Sequence, residues 1–245
     1  MFFLIPMRIT ILIYMAAALL PGFFLLRYIY RMDKVEKEDP RLLASLLFQG
    51  VLAALCSIVL ELIGSKLLNL TLSSQSKYYI LVLAFIVVGS VEEGTKFFFL
   101  KRRTWTILDF NQTFDAIVYS VFVSMGFALF ENVKYVFSYG LEVALPRAFL
   151  AVPGHMGFAV FMGYFYGRAK VAESRGFRRG KIVNLVLGYL MAVLLHGFYD
   201  ATAMMSSSVS TVLYIIFVIV MYIVVIRMIK KESSNDRTIW QNGRF

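Results

Sequence analysis

In the stretch "VVGSVEEGTKFFFL", residues 87–100, Glu92 and Glu93 stand four and three positions ahead of Lys96, inside a run that otherwise reads as lipid-buried. On a helix, glutamate four residues before lysine is the favourable order for an ion pair. One lysine neutralises only one of two carboxylates. The other must be protonated, bind a cation or take a donor from a neighbouring helix. In "GFALFENVKYVF", Phe127, Glu131 and Tyr135 follow at four-residue steps along one helical face. Lys134, three residues after Glu131, offers a structural ion pair near the interface as the alternative. The only two histidines, His155 in "VPGHMGFAVF" and His196 in "LLHGFYDA", also fall in apolar runs. Asp200 lies one turn after His196, where a carboxylate can orient an imidazole. Glu61, at the end of its run, reads as an interfacial residue.

An ionisable side chain at the bilayer centre costs about 2.5–3.5 kcal/mol on insertion scales and usually faces a bundle interior, where it marks function. Carboxylates and imidazoles gathered in a low-dielectric chamber suit the activation of water. A glutamate takes its proton as general base, and imidazoles polarise a carbonyl or stabilise its oxyanion. No nucleophile elbow is present, and the single cysteine, Cys56, has no histidine near it in sequence. Zinc is the rival, because two histidines and a glutamate form a catalytic ligand set with an open water position; the chain has no "HExxH". A proton-coupled carrier would use the same residue types, but the inverted repeats that mark many carriers are missing from the sequence.

Positioning these groups requires a membrane bundle. The chain of 245 residues is 60% hydrophobic and 16% charged, with a mean hydropathy of +0.74, too apolar for a soluble domain of this length. Runs of the roughly 20 residues needed for a crossing occur at Ile9–Tyr30, Leu42–Ile63, Tyr78–Leu100, Asp115–Phe137, Arg147–Arg168, Ile182–Met204 and Val209–Met228. The expected fold is all-α, a polytopic bundle of about seven transmembrane helices, with one membrane domain over 1–230 and a polar, mobile tail over 231–245. Only Arg8 precedes the first run, which continues to Tyr30, so a retained span is expected rather than a cleaved signal peptide.

Nineteen of the 25 lysines and arginines fall on one side of this topology and four on the other. By the positive-inside rule the N-terminus is outside and the C-terminus cytoplasmic. The net charge of +10 follows from topology, and no basic run interleaved with aromatics points to nucleic acid. At 1.5 Å per residue, Glu131 lies ~9 Å and each histidine ~12 Å from the outer end of its span, while the glutamate pair comes out ~21 Å deep. The match is imperfect unless a break or tilt at Gly89 or Gly94 brings them level.

The ordered set "EEGTK", "FENVKY", "GHMGF" and "HGFYD" on four successive spans resembles the PrsW family of bacterial intramembrane proteases, grouped with the CAAX-protease and bacteriocin-processing superfamily. The similarity runs from about Pro21 through the basic tail. It implies site-1 cleavage of a single-span anti-sigma factor, outside the cytoplasm and in the bacterial plasma membrane. Glu92 and Glu93 match the paired glutamates, with Glu92 as the water-activating base. Glu131 stands where the relatives place a histidine, and His196 and Asp200 match their final histidine and asparagine. His155 matches a family histidine. The resemblance favours a glutamate-dependent enzyme with no cofactor, zinc being the alternative.

Overall fold

The computed structural model describes residues 7–239; the first six and last six residues of the expected membrane domain and tail lie outside the described residues. The helices are α1 (Met7–Met32), α2 (Pro40–Thr71), α3 (Tyr79–Val82), α4 (Ser90–Thr104), α5 (Asp115–Tyr139), α6 (Ala144–Phe149), α7 (Ala151–Ser174), α8 (Arg178–Met204) and α9 (Ser208–Ser234). A π-helical segment, Leu83–Gly89, joins α3 to α4 without a break. The fold is all-α and polytopic. Among the described residues, six helical stretches are long and apolar enough to cross a membrane. The seventh expected crossing is the composite Tyr79–Thr104, whose apolar length is interrupted by the charges on α4.

Helix α5 is the axis of the bundle. Asp115 through Ala128 are all buried, as expected of a helix apolar on every side. Around it pack α7, α2 and α1. Between membrane helices the driving force is close van der Waals packing rather than hydrophobic exclusion, so small residues mark the crossings. A Cβ on Gly50 of α2 would clash with the α5 backbone at Val123 and Phe127, and one on Gly126 with Leu47. The α5–α7 contact is pinned by Ser120 and Ser124, whose hydroxyls donate to the carbonyls of Ala159 (2.8 Å) and His155 (2.9 Å).

The expected fifth span, Arg147–Arg168, falls within the apolar helical stretch Leu141–Ser174; the chain turns at Gly140, and Arg147 sits on the short helix α6 ahead of α7, which starts at Ala151. The described part of the tail packs against the bundle. Helix α9 runs on to Ser234, Thr113 N–H donates to Arg237 O (3.0 Å), Ile239 N–H to Asn111 O (2.7 Å), and Ile239 is buried. The chain bends back because Asp236 accepts from Thr113 Oγ1 (2.9 Å) and Phe114 N (2.8 Å), satisfying donors at the start of α5 that the helix itself cannot.

Candidate active site

Four helices converge on Lys96. An ammonium has three N–H donors, and all three have partners: Glu92 Oε2 at 3.1 Å, Glu93 Oε1 at 2.9 Å and His155 Nδ1 at 3.1 Å. Phe127 of α5 covers it, with Lys96 Nζ 3.9 Å from the ring centroid, a cation–π contact. Lys96 is 1% exposed and Glu93 0%. The lone lysine serves both glutamates and a histidine at once.

Because Nδ1 of His155 accepts from Lys96, the ring proton belongs on Nε2, which donates to Glu131 Oε2 at 3.1 Å. The same oxygen accepts from Arg147 Nη2 at 2.9 Å, and Arg147 Nε donates to Asn132 Oδ1 at 2.8 Å. The guanidinium lies 4.0 Å from the centre of the Tyr135 ring. A continuous polar path therefore runs from Lys96 through His155 and Glu131 to Arg147 on α6.

On the other side, His196 Nδ1 donates to Glu93 Oε1 at 2.9 Å. Its Nε2 lies 3.4 Å from Asp200 Oδ2 and 3.9 Å from Glu92 Oε2. Phe158 stacks on the His196 ring at 4.8 Å and 19°, holding its plane, and the two imidazoles meet edge to face at 5.4 Å. Glu92 is set from behind: Thr95 Oγ1 donates to its carbonyl at 2.9 Å and lies 2.7 Å from Ser57 Oγ on α2.

The structure thus brings together Glu92, Glu93, Glu131, His155, His196 and Asp200, with Lys96 and Phe127 at the centre and Tyr135 at the edge. The Glu131–Lys134 pair is replaced by Glu131–Arg147, because α6 folds the arginine over the carboxylate while Lys134 stays exposed. Glu61, half-buried, lines with Ser57, Glu92, Phe127, Glu131 and Lys134 a cavity of about 30 Å³, room for one or two waters. Glu92 reaches this cavity and Glu93 does not. The glutamate pair and the two histidines are level in the bundle, as the Lys96–His155 (3.1 Å) and His196–Glu93 (2.9 Å) contacts require, and a π segment precedes the pair. Its wider turn shifts the face that follows, and Gly89 lets α8 come close: a Cβ there would lie 3.3 Å from Gly197 N and 3.4 Å from Val193 O.

Sequence reasoning missed Arg147, Asn132 and Phe158. Phe158, three residues after His155, carried a helical-spacing signal. Arg147 carried none, since its position follows from the turn at Gly140 (φ 91°).

The ligand atoms of Glu92, Glu93, His155 and His196 all lie within 4.8 Å of one another, donors of the type zinc takes. Lys96 Nζ already stands about 3 Å from three of these residues. An ion at the roughly 2.0–2.2 Å that zinc bonds require would displace that ammonium. The donors fit zinc by type; the arrangement, with its resident cation, does not.

The profile of a family described as "PrsW family intramembrane metalloprotease" matches residues 38–227. This chain belongs to the PrsW family. Among curated relatives, "Protease PrsW" of Halalkalibacterium halodurans is 38% identical over 157 residues, 64% of this chain and 71% of that protein. "Protease PrsW" of Shouchella clausii is 32% identical over 219 residues, 89% and 95% of the two chains, and that of Oceanobacillus iheyensis 31% over 222 residues, 90% and 96%. No solved structure matches the chain. As a PrsW family member with several membrane-spanning helices, the protein is a multi-pass intramembrane protease.

Proposed function

We propose that this PrsW family member is a glutamate-dependent endopeptidase that makes the first cut in a single-span anti-sigma factor, with Glu92 as the base that activates water. The observation that carries the reading is that Glu92, alone of the glutamate pair, lines the small cavity, where it faces Glu61, Glu131 and Lys134.

In the proposed reaction, Glu92 takes a proton from a water in that cavity and the resulting hydroxide adds to the scissile carbonyl. His196 acts as the imidazolium, with Nδ1 donating to Glu93 and the second proton on Nε2, 3.9 Å from Glu92 Oε2, available to stabilise the oxyanion. As the C–N bond breaks, the proton on Glu92 passes to the departing amine. Glu93 and Lys96 hold His196 and His155 in place, Glu131 fixes the tautomer of His155, and Asp200 orients His196. No step is routed through a metal.

The substrate class comes from the family resemblance, which implies an anti-sigma factor tethered in the bacterial plasma membrane. The lysine and arginine distribution supports an outer N-terminus and a cytoplasmic C-terminus. That orientation sets the end of α5 and the start of α7, and with them the site, in the outer half of the membrane. A zinc enzyme with the same substrate is the second reading, favoured by the four-ligand cluster and by the family description.

Purified full-length protein in lipid vesicles is expected to cut a co-reconstituted single-span anti-sigma factor, and Glu92→Gln to abolish the product. Unchanged cleavage by Glu92→Gln overturns the assignment of the base. Metal analysis of the same active preparation separates the two chemistries: stoichiometric zinc, with activity lost to a chelator and restored by zinc, overturns the metal-free reading.

A further inference from the structure

At the lysine- and arginine-rich end of the bundle, far along α7 from His155, lies a cavity of about 680 Å³ that the catalytic residues do not line. Its walls come from α7, the start of α8, the end of α9 and the folded-back tail. Three guanidinium-bearing residues line it, Arg168 and Arg175 of α7 and Arg237 of the tail, and all three are exposed.

The shape follows from how α8 and α9 pack. Near their connecting turn the two helices meet ring on ring, Phe198 against Phe217 at 4.8 Å and Tyr199 against Tyr214 at 5.0 Å. At the basic end the cavity is lined by Gly180 and Asn184 of α8 and by Glu232 and Asn235 at the end of α9. The opening is a wedge between two membrane helices, and it reaches Tyr164, which lies one helical turn deeper than Arg168 and accepts from its Nη1 at 2.9 Å. Of the two acids in the lining, Asp236 is turned to Thr113 and Phe114, with its second oxygen buried. The lining thus carries three guanidinium groups against two carboxylates, of which only Glu232 is left without donors on the start of α5.

We propose that this wedge binds a phosphate group, and that the headgroup of an anionic phospholipid supplies it. Guanidinium groups pair with phosphate oxygens through paired N–H donors. Basic pockets between helices on the cytoplasmic side are suited to anionic headgroups, each arginine contributing at the membrane surface. A lipid source is favoured over a soluble one because the cavity opens among helices of the membrane bundle and presents Val171 beside the arginines and the ring of Tyr164 one turn deeper than Arg168, surfaces along which the acyl end of a lipid can lie. The proposal does not depend on the catalytic assignment, and its test reads binding, not cleavage.

The full-length protein in neutral detergent is titrated separately with phosphatidylglycerol, phosphatidylcholine and inorganic phosphate, following thermal unfolding and retained lipid by native mass spectrometry. The expected result is phosphatidylglycerol binding at least about tenfold tighter than phosphatidylcholine, lost in Arg168→Gln/Arg175→Gln and kept in Arg31→Gln/Lys34→Gln, which alters exposed charges outside the cavity. Stabilisation by inorganic phosphate with the same arginine dependence, and no preference for phosphatidylglycerol, overturns the lipid source. Binding of all three probes indifferent to the Arg168/Arg175 change overturns the site. An unfolded double variant is replaced by Arg237→Gln alone, judged by the same criteria.

Discussion

Lys96 Nζ and His155 Nδ1, 59 residues apart in the chain, lie 3.1 Å from each other at the centre of the bundle. That contact joins the glutamate pair of α4 to the Glu131–Arg147 pair beside α6. It makes one network of charges that would each be costly alone in an apolar interior.

The two glutamates separate by function. Glu92→Gln is expected to lower the cleavage rate by at least about 100-fold, the scale of lost general-base catalysis, with little change in thermal unfolding. Glu93→Gln removes charge from a group held by both Lys96 and His196 and is expected to lower the unfolding temperature as well as the rate. Single-turnover cleavage and a melting curve on each variant check this; equal melting losses for both would sink the division.

Lys96→Met leaves two buried carboxylates without their common cation, a loss of about 3–5 kcal/mol by the scale of broken buried pairs. Adding Glu93→Gln removes one of the stranded charges. The double variant is therefore expected to be more stable than Lys96→Met alone, a non-additive outcome that denaturant unfolding in micelles measures.

Arg147→Ala frees Glu131 from one of its two partners while leaving His155 in contact. The expected outcome is a rate loss of about tenfold, carried by kcat rather than KM, as for other residues that orient a catalytic group. Arg147→Lys keeps the charge but not the fork that spans Glu131 and Asn132, and should fall between. A change confined to KM would point to substrate contact instead.

The connection between α1 and α2 carries a pH dependence. Burial pushes the Glu38 carboxyl up to about 7, against the hydrogen bond from Tyr119, and the Asp33 carboxyl up to about 6, against Lys37. A raised carboxyl means the folded state disfavours the charge. The stability contribution is whole below the ordinary carboxylate range near 4 and is lost as pH climbs through about 6 to 7. The unfolding temperature should therefore decline from pH 5 to pH 8, and Glu38→Gln should flatten the decline. A rise over that range in the wild type would contradict it.

Much of this was legible in the chain. Hydropathy alone requires a helical membrane bundle, since backbone groups in lipid must be satisfied within each segment. The buried ionisable residues stand out because apolar surroundings make them expensive. Glu92, Glu93 and Lys96 share a helix, so their spacing already implied contact. Across helices the same reasoning weakened. Glu131 and Lys134 have the spacing of a pair, yet the nearer partner in space is Arg147, 16 residues away.

What the amino-acid order decided by itself is therefore which residues cannot face lipid and which helix each belongs to, because those depend on local periodicity and transfer energy. Which carboxylate meets which cation, which glutamate reaches the small cavity, and that Glu61 belongs beside them were settled only in three dimensions. They turn on a π turn ending at Gly89, a reversal at Gly140 and glycine crossings at Gly50 and Gly126. These features set rotation and separation between helices, quantities that no one-dimensional pattern encodes.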